Sequence, residues 1–144
     1  GVDDAVVKIG VLCNERSAEE RANAVAFSGN PGTGGDERML VQAQPGELAV
    51  VSTQAGVYPE SVLLTLIGGE VTAIDRVTQS STGERALSDR TLEELGGALW
   101  TIAQVYPRDE AIPAGMELVW DTEWKVLEDG RLIVKQIRPF LREE

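Results

Sequence analysis

Apolar and polar residues alternate most clearly near the end of the chain, on either side of Asp129-Gly130. Val126-Leu-Glu-Asp-Gly130-Arg-Leu-Ile-Val134 reads as strand, turn and strand, because Asp-Gly between alternating runs is a strong hairpin signal. Ser61–Ile67 and Val71–Val77 flank Gly68-Gly69 and predict a second hairpin. Ala5–Leu12 is almost continuously apolar, broken only by Lys8, and suits the middle of a sheet. Ala24–Ser28 predicts a short strand, and Met39–Gln42 and Leu48–Ser52 are largely apolar, with a turn at Pro45-Gly46 between them. Ser17–Glu20 has capping-box spacing, which fits a single helical turn or a loop equally well.

One stretch changes period. From Arg90 to Tyr106, Leu92, Leu95, Leu99, Ile102, Ala103 and Tyr106 recur mostly every three or four residues, which predicts the one long helix. Ser88 or Asp89 can cap its start, Glu93 and Glu94 favour the positive end of its dipole, and Pro107 stops it. Gly96-Gly97 weakens the middle of that helix. The polar stretch Gln79–Ala86 before it reads as a mobile loop. Strands, one helix and a closing hairpin predict an α+β fold with a largely antiparallel sheet, in a single domain over residues 1–144.

The last hairpin carries the candidate chemistry. If Asp129-Gly130 is a two-residue turn, Glu123 faces Gln136 and Asp121 faces Arg138. Side chains alternate along a strand, so all four project from one sheet face. Two carboxylates, a carboxamide and a guanidinium are costly to bury together, which makes the face a candidate ligand or metal site; the competing reading is an ordinary set of cross-strand polar pairs. Trp120 and Trp124 fall on the opposite face and predict core packing. Lys125 shares the Glu123 face, Lys135 lies on the other, and both read as solvated.

These residues resemble a known family. Asp121-Thr-Glu-Trp124, a hairpin and Gln136-Ile-Arg-Pro139 are similar to the end of the nucleotide-binding domain in the pyruvate phosphate dikinase and phosphoenolpyruvate synthase family. Ala24-Val-Ala-Phe-Ser-Gly-Asn-Pro31 with Thr33-Gly34 resembles that family's Gly-Val-x-Phe-Thr-x-Asn-Pro-x-Thr-Gly. Leu40-Val-Gln-Ala-Gln-Pro-Gly-Glu47, followed by Val51-Ser52 and Pro59-Glu60, looks like a third match in the family's order. The resemblance implies the C-terminal part of an ATP-grasp domain, with ATP and Mg2+ as cofactors. Glu123 and Gln136 would be metal ligands, Arg138 would support the terminal phosphates as the catalytic residue, and Asp121, Ser28 and Asn30 would be further nucleotide neighbours, with Thr33 close by. Two departures stand out: Gly29 replaces an Arg often found in the dikinases, and Thr53-Gln54 replaces the Gly expected after Val51-Ser52.

The family's nucleotide-binding lysine and Arg-Ser-Ser segment have no counterpart here, so the resemblance implies a fragment. Its partners would be an N-terminal ATP-grasp subdomain and a separate phosphohistidine domain of a longer parent. Histidine is absent from all 144 residues, which excludes a Ser-His triad, imidazole metal ligation and the carrier histidine from this chain. A net charge of −11 opposes binding of nucleic acid. An anionic nucleotide needs a divalent cation or placed Arg to offset that field. No run is long and apolar enough to span a bilayer, and the first residues carry no signal-peptide pattern. Cys13 alone allows no internal disulfide and reads as a small buried hydrophobe, so a cytoplasmic chain is expected. The alternative function is a non-catalytic regulatory or partner-binding module that keeps the fold.

Overall fold

The computed structural model describes residues 20–47, 50, 56–106 and 111–143. Its elements are β1 (Glu20–Phe27), β2 (Met39–Pro45), β3 (Glu60–Ile67), β4 (Glu70–Thr78), α1 (Asp89–Val105), β5 (Met116–Leu127) and β6 (Leu132–Glu143). The strands form one antiparallel sheet in the order β4-β3-β2-β1-β5-β6. This is the α+β architecture expected from the alternation. The expected strand at Ala5–Leu12, Cys13, Ser17–Glu19, Pro107 and all of Leu48–Ser52 except buried Val50 lie outside the described residues.

Period two puts one face of the sheet in the core. Ala22, Ala24 and Ala26 on β1, Met39, Val41 and Ala43 on β2, Val62 and Leu64 on β3, and Leu118, Trp120, Trp124 and Val126 on β5 form one cluster with Leu92, Leu95 and Leu99 of α1. The helix packs against β3, β4, β5 and β6, so the sheet curls around it, and small alanines line the central strand β1. Each buried Trp removes roughly 150–250 Å² from water, which makes Trp120 and Trp124 the heaviest anchors of β5. Tyr106, the residue capping the end of α1, meets Trp120 edge-to-face at 5.0 Å.

The start of α1 is fixed twice. Ser88 has extended backbone and its Oγ accepts from the Thr91 N–H at 3.1 Å, satisfying one of the first-turn donors. Glu60 is buried; it accepts from the Ala86 N–H at 2.9 Å and pairs with Arg76, which also donates to Leu87 O and Asp89 Oδ1. The segment read from sequence as a mobile loop, Gln79–Ala86, is therefore bonded to β3, and its Ser80 and Ala86 are buried.

The two helix glycines have different surroundings. A Cβ at Gly96 would lie 2.6 Å from Val71 Cγ2 and 3.3 Å from Leu64 Cδ1, whereas one at Gly97 meets only Gly69 O at 3.5 Å. Gly96 is thus required where α1 presses on β3 and β4. We expect Gly96→Ala to destabilise the protein by about 1–3 kcal/mol through overpacking, despite the better helix former. Gly97→Ala should stabilise it by up to about 1 kcal/mol. Urea unfolding of both variants checks this, and parallel shifts would contradict it.

Candidate functional site

The β5–β6 hairpin brings the expected residues together, by a route different from the expected one. The turn has three residues, Glu128, Asp129 and Gly130: Leu127 N donates to Arg131 O, Gly130 N donates to Leu127 O, and Gly130 takes a left-handed φ of 86°. That connection pairs Trp124 with Val134, Lys125 with Ile133 and Val126 with Leu132, one residue off the register a two-residue turn would set. A bulge between Glu123 and Trp124 then leaves Lys135 as the extra residue and restores the expected pairs Glu123–Gln136 and Asp121–Arg138. Hydrophobicity requires this step. Leu132 and Ile137 both pack on the core, yet they sit at positions of opposite parity, so one extra residue must intervene.

On the face opposite α1, Arg138 Nε donates to Asp121 Oδ2 at 2.6 Å, and Arg138 Nη2 lies 4.0 Å from Glu123 Oε1. Exposure of the three side chains rises outward, from 7% for Asp121 through 31% for Glu123 to 51% for Arg138. Asp121 is the floor: its other oxygen, Oδ1, is buried and has no hydrogen-bond partner among the described residues. It holds the guanidinium by the Nε edge, and its hydrogen bond and charge raise the already high pKa of Arg138 further. A permanently charged, half-exposed guanidinium, braced from below, suits a phosphate or carboxylate group. Gln136 is exposed directly across from Glu123.

Glu123 and Gln136 supply hard oxygen donors side by side, the chemistry that suits magnesium; such a site keeps several waters and takes only one or two protein oxygens. No group of three or more Asp, Glu, Cys or His that could hold a metal ion occurs among the described residues. A metal here would therefore depend on Glu123, Gln136 and ligand oxygens.

Ser28 and Asn30 occupy the far end of the hairpin and are engaged in structure. Ser28 Oγ accepts from the Trp120 N–H at 2.8 Å, and Ser28 N donates to Trp120 O at 3.0 Å. Asn30 Nδ2 donates to Asp36 Oδ2 at 2.9 Å, while its Oδ1 accepts from the Gly32 N–H at 3.1 Å. Thr33 N donates to Asn30 O, closing a turn. Lys125 is paired with Glu20 rather than simply solvated, and Trp120 and Trp124 lie in the core as expected.

Sequence reasoning passed over Arg142. Its guanidinium is buried; Nε and Nη2 donate to Glu117 Oε2 at 2.9 and 2.6 Å, and Nη1 donates to Asn30 O and Asp36 O at 2.6 and 2.9 Å. Gly29 makes room for it, because a Cβ there would stand 3.0 Å from Arg142 Nη1. The signal for Arg142 was parity: it shares the face of Arg138, four residues further on.

No known family model matches this chain, and no curated protein matches it significantly in sequence.

Replacing Arg142 by Met should cost roughly 2–3 kcal/mol, because two loop carbonyls and Glu117 lose a charged donor. Proteolysis within residues 30–36 should speed up in that variant, and an unchanged cleavage rate would remove Arg142 as the clamp. Asp36 gives a pH signature. Arg38, then Asn30, holds its carboxyl well below the usual value of about 3.9. A depressed acid contributes stability above its unfolded pKa and loses it as the pH falls through the folded one. Wild type should therefore exceed Asp36→Asn in stability near neutral pH, with the gap closing below about pH 4. A gap that widens in acid would reverse the assignment.

Proposed function

We propose that the face of the β5–β6 hairpin opposite α1 is the magnesium–nucleotide half-site of a dikinase-like phosphotransferase. The observation that carries the reading is the cluster itself: Asp121 bracing Arg138 at 2.6 Å, with Glu123 and Gln136 paired beside them on the same sheet face, Arg138 and Gln136 exposed. Phosphoryl transfer asks mainly for positioning and charge neutralisation, and these residues offer both. Glu123 and Gln136 would hold the metal, which when bound neutralises phosphate charge. Arg138 would receive the terminal phosphates with the donors that Asp121 leaves open. ATP is the expected nucleotide, and the sequence motifs make an ATP-grasp subdomain the fold we infer. The N-terminal subdomain and a phosphohistidine domain would be its partners in a longer protein.

One observation favours a second reading, a non-catalytic regulatory or partner-binding module. Arg138 already neutralises Asp121 and stands near Glu123, so the cluster is largely self-satisfied without ligand. Calorimetric titration with ATP, with and without magnesium, separates the two. The half-site requires magnesium-dependent binding that Glu123→Gln weakens at least about tenfold with thermal unfolding unchanged, since a charged contact contributes about 1.5–3 kcal/mol. Arg138→Ala should weaken it comparably. Binding unaffected by either substitution, or absent both from this chain and from the longer protein that contains it, would leave the module reading.

A further inference from the structure

Two residues beyond Arg138 on β6, the same face changes character. Phe140 follows Arg138 and Pro139, pairs with Val119, and meets Phe27 of β1 edge-to-face, ring centroids 5.6 Å apart at 74°. Phe27 is the cross-strand neighbour of Asp121, so the two rings bridge β1, β5 and β6 right beside the Asp121–Arg138 pair. Val119, opposite Phe140 on β5, is buried although it points away from the helix, and Phe140 keeps 38% of its surface exposed. A large aromatic ring held in place by another ring, facing outward beside a braced guanidinium, combines a stacking surface with an anion site.

We propose that Phe140, supported by Phe27, is the platform for the nucleobase of the bound nucleotide, and that this platform does not select among bases. The inference rests on the half-site reading and adds which part of the chain holds the ring of the ligand. The geometry gives the order. Gln136, Arg138 and Phe140 succeed one another at two-residue steps on one face, about 13 Å in all at strand spacing, so a metal-held phosphate, the guanidinium and the ring would follow one another in that order along β6. Charge complementarity sets the direction, with phosphates at Arg138 and the ring at Phe140. Base–aromatic stacking is tolerant of base identity, because every base offers a π-face. Neither ring carries a hydrogen-bonding group to read a base edge, so discrimination between adenine and guanine would need residues other than this pair.

Titration calorimetry of the chain with magnesium salts of ATP, GTP and inorganic tripolyphosphate tests this. The expected result is similar affinity for ATP and GTP, each about tenfold tighter than tripolyphosphate. Phe140→Ala should remove the nucleoside advantage while tripolyphosphate affinity stays. Phe140→Leu keeps apolar cover over Val119 and should remove most of the same advantage, and Phe140→Trp should retain it, with thermal unfolding confirming that each variant is folded. Equal affinity for ATP and tripolyphosphate in wild type overturns the platform but leaves the half-site. So does a Phe140→Ala loss shared equally by both ligands. Strong preference for one nucleoside triphosphate overturns the base indifference. Absence of binding by all three ligands, both in this chain and in the longer protein that contains it, overturns the half-site, and the platform with it.

Discussion

The antiparallel pairing of β5 with β6 is the constraint on which the rest depends. β5 has to serve two environments at once, sending Leu118, Trp120, Trp124 and Val126 into the core around α1 and Asp121 and Glu123 to the opposite face. A strand can do this only while its partner stays in step, since a slip of one residue would turn every side chain to the wrong side. The three-residue turn sets one register and the extra residue Lys135 corrects it. Without that correction Ile137 would face solvent and Arg138 would face Trp120 and α1, where an unpaired charge is strongly disfavoured. Burial of the tryptophans and placement of the polar cluster are therefore one event, because the same register decides both.

Around this hairpin, the structure uses its charges in two ways. Glu60–Arg76 and Glu117–Arg142 are tied off: each guanidinium meets a carboxylate and also backbone carbonyl oxygen, fixing the start of α1 in one case and the loop from Asn30 to Asp36 in the other. Asp121–Arg138 differs. Only the Nε edge of Arg138 is held by Asp121, half of the side chain is exposed, and one oxygen of Asp121 remains buried without a partner. A network that is saturated contributes to rigidity, whereas one that is braced and still open can accept a ligand. The aromatic pair at Phe27 and Phe140 borders that open cluster, so polar and apolar contact surfaces meet on the same face.

Much of this was legible in the chain. Period-two alternation located the hairpins, period-three-to-four spacing located α1 within a residue at each end, and Ser88 was one of two candidates for its cap. The partners Asp121–Arg138 and Glu123–Gln136 were also reached, although through two compensating differences: a turn one residue longer than expected and a bulge that was not foreseen. The bulge left a trace, the switch of apolar parity between Val134 and Ile137. Strand lengths were harder. β1 begins before its expected start and β2 runs past its expected end, with Asn23 and Gln44 opposite one another in the ladder.

Local composition and periodicity thus determined the elements, the α+β class and which residues of the last hairpin share a face, because those follow from backbone geometry over a few residues. Contacts across long sequence separation were decided by tertiary structure alone. Asp121 and Arg138 become a braced pair only at the depth set by β1 on one side, Arg142 clamps a loop more than a hundred residues earlier in the chain, and Phe27 reaches Phe140 only after β1 inserts between β2 and β5. No local pattern encodes such distances. They arise when one core closes around α1 and leaves the opposite face of the sheet to carry the polar cluster.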